Sequence, residues 1–136
     1  MRPASGTEMG VARATGGLGS LTVDNGTEYD AIVKLVRDSR TQRSMYVRSK
    51  EKATMSNVST GYYRIFFSTG KDLDPTTGQF QVDDSYSEFE QSLVFLETPK
   101  ATSLEYSTYQ ITLQPVVGGN AKTRRLDKSA FINAGK

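Results

Sequence analysis

The alternation of side chains is clearest between residues 57 and 70, which hold the densest aromatic run of the chain. Alternate residues of a β-strand point to opposite faces, so a period of two predicts a strand with two different surroundings. The alternating positions that we expect to face a core are Tyr63, Ile65 and Phe67. Burying each side chain of this size contributes about 1.5–3 kcal/mol. The stretch therefore predicts the middle strand of a β-sandwich.

The other face of this strand carries Tyr62, Arg64 and Phe66, which form the candidate binding surface. If these side chains are exposed, they make a mixed aromatic and cationic patch that needs a partner. If the N-terminal segment covers them, the strand has only an architectural role. The sequence leaves both alternatives open.

Further short apolar stretches, separated by turn-forming residues, predict the rest of the fold. They are Gly19–Thr27, Ala31–Arg37, Ser44–Arg48, Ala53–Val58, Leu93–Leu96 and Tyr106–Val117, the last forming a hairpin with Ala121–Leu126 through Gly118–Asn120. No stretch keeps a helical period over the length of an ordinary helix, and we expect Phe131 and Ile132 to pin the C-terminus. The pattern predicts an all-β domain, a single two-layer antiparallel sandwich of about seven to eight strands.

The segment from residue 70 to residue 84 is rich in aspartate and turn-forming residues, and it predicts a long loop. We expect Phe80 and Val82 to pack beneath this loop, and 86–89 to form a helical turn or an irregular crossing. The loop carboxylates are Asp72, Asp74, Asp83 and Asp84. Calcium prefers oxygen ligands of this kind, so the four aspartates are the candidate metal site. The alternative is that they are solvated turn residues.

The first 19 residues contain several glycines and little periodicity, which is typical of a linker or an N-terminal arm. Residues 20–136 then form the sandwich domain. We expect an arm of this kind to lie along its own domain or along a neighbouring subunit.

Composition limits the chemistry of this 136-residue chain, because it contains no cysteine and no histidine. Thiol nucleophiles, disulfides, zinc–thiolate sites and histidine general bases are thereby excluded. The net charge is +2, and the tightest basic cluster is the short segment 122–125, which argues against a nucleic-acid partner. No apolar run approaches the roughly 20 residues that a membrane-spanning helix needs.

Two resemblances add to this picture. The segment TMSNVSTGYYRIFF (54–67) resembles the turn and Gly-Tyr step of prealbumin-like sandwiches, which include carboxypeptidase regulatory and collagen-adhesin B-type domains. The segments GLGSLTVDNGTEYDAIVKLV, MYVRSKEKATMSNVSTGYYRIFFSTGKDLD, YSEFEQSLVF and ITLQPVVGGNAKT together resemble a bacterial β-sandwich domain of unknown function. That domain usually follows a membrane anchor or another N-terminal module, which implies a prealbumin- or immunoglobulin-like fold outside the cytoplasm. Leu73 departs from the aromatic residue expected there.

These observations predict a non-catalytic interaction or structural module rather than an enzyme. Its partner would be a protein or a second copy of the chain, bound through the N-terminal arm or through an exposed edge strand. The alternative is a carbohydrate-binding module with a structural calcium ion, because exposed tyrosines stack on sugar rings. The tyrosines that raise it are Tyr46, Tyr62, Tyr86, Tyr106 and Tyr109.

Overall fold

A computed structural model describes residues 2–113 and 123–134, which fold into an all-β sandwich, so the predicted fold class is confirmed. The first five strands are β1 (Gly19–Asn25), β2 (Asp30–Arg37), β3 (Arg40–Val47), β4 (Lys52–Val58) and β5 (Gly61–Asp74). The next five are β6 (Gln79–Phe89), β7 (Leu93–Phe95), β8 (Glu97–Pro99), β9 (Leu104–Tyr106) and β10 (Thr108–Leu113). The described chain ends with β11 (Thr123–Arg125) and one short helix, α1 (Lys128–Asn133).

The strands form two main sheets that pack face to face. The larger sheet has the order β11-β6-β5-β2-β3, with β7 pairing with the beginning of β5, and the smaller has the order β10-β1-β4. Strands β1 and β10 run parallel, whereas all other described pairs are antiparallel. The stretch predicted to be central is β5, which lies in the middle of the larger sheet between β2 and β6.

The main core lies between the two sheets, and the inward face of β5 contributes to it as expected. Tyr63 and Ile65 are fully buried there, and Phe67 packs against the same cluster from a half-buried position. The Tyr63 ring meets the Phe95 ring almost perpendicularly, with centroids 5.6 Å apart. Phe95 in turn contacts the ring of Tyr109 at 5.1 Å, which connects β5 to the smaller sheet.

The outer face of the larger sheet carries a second apolar cluster. Its buried members are Ile32, Val36, Tyr46, Phe66, Leu73, Phe80, Tyr86, Phe131 and Ala134. Helix α1 lies over this face, where Phe131 is buried and its ring centroid is 5.3 Å from that of Tyr86. The larger sheet is therefore covered on both faces, by the smaller sheet and by the C-terminal helix.

Residues 2–18, which we call the N-terminal arm, lie along β3 of their own chain and, from residue 14 onwards, against the end of β4. The arm and β3 exchange backbone hydrogen bonds, from Gly6 N to Tyr46 O (2.8 Å) and from Tyr46 N to Thr7 O (2.9 Å). The Glu8 carboxylate accepts two hydrogen bonds from Arg43, which also donates to the carbonyls of Ser56 and Asn57 in β4. An unpaired edge strand is a template for aggregation. The arm covers the β3 edge and joins it to the smaller sheet.

The prediction of a long loop between residues 70 and 84 is wrong. Strand β5 continues to Asp74, and β6 begins at Gln79, so a tight turn of residues 75–78 replaces the long loop. The hairpin extends beyond the core, where most of its side chains are polar and exposed, and a register shift between Thr69 and Lys71 interrupts its alternation. Phe80 is buried as expected, whereas Val82 is 41% exposed. Residues 86–89 belong to strand β6 and do not form a helical turn.

The predicted C-terminal hairpin is also wrong in its described part. Thr123–Arg125 pairs with β6 in the larger sheet, whereas β10 pairs with β1 in the smaller one. The predicted turn at Gly118–Asn120 lies outside the described residues.

Candidate functional site

The three residues of the predicted binding surface line one pocket at the end of the larger sheet. Tyr62, Arg64 and Phe66 lie on the same face of β5 because they alternate along it, and the pocket has a volume of about 450 Å³. Tyr62 is 69% exposed at the rim, Arg64 is half-buried, and Phe66 is buried in the second apolar cluster. The exposure of the three side chains therefore decreases from the rim of the pocket to its floor. Alternation alone would have predicted a flat patch with all three exposed.

The opposite wall is the turn between β2 and β3. Asp38 and Ser39 both have positive φ (54° and 60°), as the tightest two-residue hairpin turns require. Gly61 lies at the base with φ 151°, and a Cβ atom there would be 2.7 Å from Nη1 of Arg37. The pocket shape therefore depends on two turn residues in the left-handed conformation and on a glycine.

Arg64 and Arg37 both line this pocket, but in the part of the chain that the structure describes only Arg64 has an acidic partner. Arg64 pairs with Glu88 at 2.7 Å, and Arg124 pairs with the other oxygen of the same carboxylate at 2.8 Å. Burial by itself would raise the pKa of Glu88, but hydrogen bonds from both guanidinium groups outweigh it and hold that pKa below its ordinary value. Arg37, by contrast, has no carboxylate within 4 Å among the described residues and lies over the Tyr63 ring at 5.5 Å. It is the cation that this pocket can offer to a ligand.

The four aspartates of the predicted metal site are spread along the exposed hairpin. Asp74 lies opposite Gln79 at the tip, and its Oδ1 accepts a hydrogen bond from Thr76 N. Asp84 lies near the other end, where it accepts a hydrogen bond from the Tyr86 hydroxyl and pairs with Lys128. Five strand positions separate Gln79, which is opposite Asp74, from Asp84, and this corresponds to roughly 16 Å along the strand.

Asp72 and Asp83 lie between those two positions, both with positive φ (57° and 54°). Within residues 2–113 and 123–134, no three acidic side chains come together as a metal-binding group. The segment is a hairpin and not the predicted loop, and it holds the four aspartates at different positions along its two strands.

Asp30 is a buried carboxylate that the sequence analysis did not single out. It accepts hydrogen bonds from Arg2 (2.8 Å), the Tyr46 hydroxyl (2.6 Å) and Ser49 N (2.8 Å). Burial would raise its pKa, but these donors together lower the pKa below its ordinary value. Through these contacts Asp30 ties the arm to β2 and β3. Its only sequence signal was an acidic residue at the beginning of an apolar strand.

Lys34 is unusual because it projects from a core strand without an acidic partner. Its Nζ donates to the Phe131 carbonyl at 2.8 Å and lies 3.9 Å from the centroid of the Phe131 ring. Among the described residues no carboxylate lies within 4 Å of it. Burial lowers the pKa of Lys34 from 10.5 to about 8.

We expect this lowered pKa to make the stability of the domain depend on pH. Between pH 8 and 10.5 the unfolded chain holds a proton on Lys34 that the folded chain has lost. Raising the pH through that window should therefore stabilise the wild type relative to Lys34→Met, while tyrosine ionisation affects both alike. Urea midpoints at pH 7 and pH 9.5 measure the difference. A gap between the two proteins that does not change with pH would show that Lys34 titrates normally.

Among the described residues, no helix combines the length and apolar character needed to cross a membrane. No protein-family model matches the chain, and a significant match is found neither among curated proteins nor among solved structures. The fold class that the structure defines, an all-β sandwich with a docked arm and a covering helix, is thus the basis for any functional argument.

Proposed function

We propose that this domain is a non-catalytic interaction module that binds a segment of a partner protein in the Tyr62 pocket. The observation that carries the proposal is the position of Tyr62, which is 69% exposed at the rim of a pocket with an apolar floor. Tyrosine and arginine are among the residues enriched at the energetic centre of protein interfaces. Here Tyr62 and Arg37 line the same pocket, with Phe66 beneath them.

Composition supports a binding role without catalysis. The chain has neither histidine nor cysteine, which removes the commonest general base and the thiol nucleophile. The carboxylates with lowered pKa values, Asp30, Asp84 and Glu88, all accept hydrogen bonds or ion pairs from side chains of the protein. Groups that are already paired in this way stabilise the fold and are poor acids or bases for a bound substrate.

The same structure favours a different protein as the partner over a second copy joined through the arm. Residues 6–13 of the arm form backbone hydrogen bonds with β3 of their own chain. Exchange between copies would first have to break those hydrogen bonds and the ion pair of Glu8 with Arg43. The Tyr62 pocket needs no such rearrangement.

A carbohydrate is the second candidate ligand, because the exposed ring of Tyr62 offers a flat apolar face beside polar groups. Sugar binding and peptide binding use the same residue, so one variant tests both. A glycan array and a displayed peptide library should be probed in parallel with the wild type and with Tyr62→Ala.

We expect the peptide library to yield binders whose affinity falls about tenfold or more in Tyr62→Ala, since aromatic anchors contribute about 2 kcal/mol or more. The matched control is Tyr106→Ala, because Tyr106 is 50% exposed on β9, away from the pocket. Retention on the glycan array that is lost in Tyr62→Ala would instead identify a sugar ligand. Equal binding by Tyr62→Ala and the wild type in both assays would refute a role for this pocket.

A further inference from the structure

A second groove lies on the outer face of the larger sheet, separate from the Tyr62 pocket and formed by three different parts of the chain. Its walls are the N-terminal arm at residues 9–13, the β5–β6 turn at residues 75–78 and helix α1. The groove has a volume of about 450 Å³, which lies within the range of small-molecule sites. No residue is shared between the two lining sets.

The charge of this groove has one sign. Lys34 and Arg13 line it, and none of the lining residues is Asp or Glu. Arg13 donates to the Thr41 carbonyl at 3.3 Å, and neither cation has a carboxylate within 4 Å among the residues that the structure describes. Lys34 has three N–H donors, and the Phe131 carbonyl accepts one of them.

Thr41 supplies an independent observation. It is 7% exposed and lines the groove, and its Oγ1 is the one buried side-chain polar atom of the described residues without a hydrogen-bond partner. Thr41 lies opposite Val36 across the β2–β3 ladder, on the same face as Lys34. Buried hydroxyls are nearly always paired in folded proteins, so an unpaired one in a groove with two cations that lack a carboxylate partner in the described chain indicates an acceptor that is supplied from outside.

The rest of the lining is mixed: Ser44, Thr76, Thr77 and Gln79 are polar, and an apolar part lies beside the two cations. Phe131 and Ile32 are buried at the groove, and Val11 is 68% exposed where the arm crosses it. A free inorganic anion would leave these surfaces in contact with water, whereas an anion with an aliphatic body would cover them.

We propose that this groove binds a carboxylate carried on an apolar body, with Lys34 and Thr41 donating to its oxygens and Arg13 supplying further positive charge. A fatty acid of short chain and the C-terminus of a peptide with an aliphatic last residue share this chemistry. The proposal does not depend on the Tyr62 pocket, because the two sites use different residues.

The test is an NMR titration of the isotope-labelled 136-residue chain with sodium hexanoate, using hexanamide as the uncharged probe of the same shape. We expect hexanoate to shift the signals of Lys34, Thr41 and Phe131, and hexanamide to bind at least about tenfold more weakly. Lys34→Met should weaken hexanoate binding by about the same factor. Lys52→Met is the matched control, because it removes the same charge from an exposed position on β4 of the other sheet.

Thr41→Val separates a binding role from a structural one. The hydroxyl makes no hydrogen bond in the fold, so we expect the variant to remain as stable as the wild type while hexanoate binding weakens several-fold.

A pair of hexapeptides that differ only in a free or amidated C-terminal leucine distinguishes the source of the carboxylate. Tighter binding of the free-acid peptide than of hexanoate would identify a peptide terminus, and the reverse order would identify a free acid. Equal responses to hexanoate and hexanamide, or hexanoate binding unchanged in Lys34→Met, would overturn the proposal.

Discussion

Replacing Tyr63 by alanine is expected to destabilise the domain by about 3–5 kcal/mol, the cost usually seen when a large buried aromatic is truncated. Tyr63 is fully buried, its ring packs against Phe95, and its hydroxyl donates to the Ser59 carbonyl at 2.8 Å. The truncation therefore leaves a cavity and an acceptor without its donor. Domains of this size have a total stability of about 5–15 kcal/mol, so this loss is a large part of it.

Tyr62→Ala is the matched control for that prediction, because it removes the same side chain from the neighbouring position of the same strand. Tyr62 is 69% exposed, so we expect a loss below about 1 kcal/mol. Urea unfolding of the two variants gives both values, and the control also shows that the binding variant is folded. Similar losses in the two variants would mean that the register of β5 is not the one described.

Replacing Gly17 by alanine is expected to cost about 1–3 kcal/mol, which is typical of forcing an extra group into a packed site. A Cβ atom at this position would lie 2.2 Å from the Val58 carbonyl oxygen and 2.5 Å from Cα of Ser59. Both are backbone atoms of the β4 end, so no side chain can rotate away to make room. The arm would have to separate from β4 instead.

Gly16→Ala is the control from the adjacent residue. Its Cβ would meet only Oγ of Ser59, at 4.0 Å, which is an ordinary contact. We expect this variant to stay within about 0.5 kcal/mol of the wild type, as exposed substitutions usually do. Differential scanning calorimetry or urea unfolding measures both. If Gly17→Ala proves as harmless as Gly16→Ala, then the arm does not pack against β4.

The alternation of side chains was sufficient to predict the strands that form the main core. In β1, β2 and β5 one face is buried between the sheets, and residues such as Val33, Leu35 and Ile65 repeat every second position. Because the buried face of a strand needs apolar side chains at every second position, this pattern in the sequence indicates the strand. The class of fold followed from these strands.

The features that failed are those in which burial does not follow a simple period. Most residues of the β5–β6 hairpin between 71 and 85 are exposed, and its aspartates resemble loop residues in sequence. Phe66 is buried because helix α1 and the arm cover a face that most sandwiches leave to solvent, and nothing within β5 indicates a cover supplied by distant segments.

The candidate sites show the same limit. The sequence identified Tyr62 as notable because it stands in an aromatic run, and the structure added the β2–β3 turn that makes its surroundings a pocket. The groove at Lys34 depends on three segments far apart in the chain, so no local motif could predict it. The glycines of the first 19 residues were consistent with either a linker or an N-terminal arm, and the sequence did not indicate that Gly17 is buried against β4.

The central claim, that the Tyr62 pocket is the binding surface, is tested most directly by mapping a selected peptide onto the labelled domain by NMR. We expect the largest shift changes to fall on the residues that line the pocket, which are 36–39, Gly61, Tyr62, Arg64, Phe66 and Ser92. We also expect these changes to disappear in Tyr62→Ala and to persist in Tyr106→Ala. Shift changes centred on another surface, such as the β8–β9 hairpin, would contradict the claim.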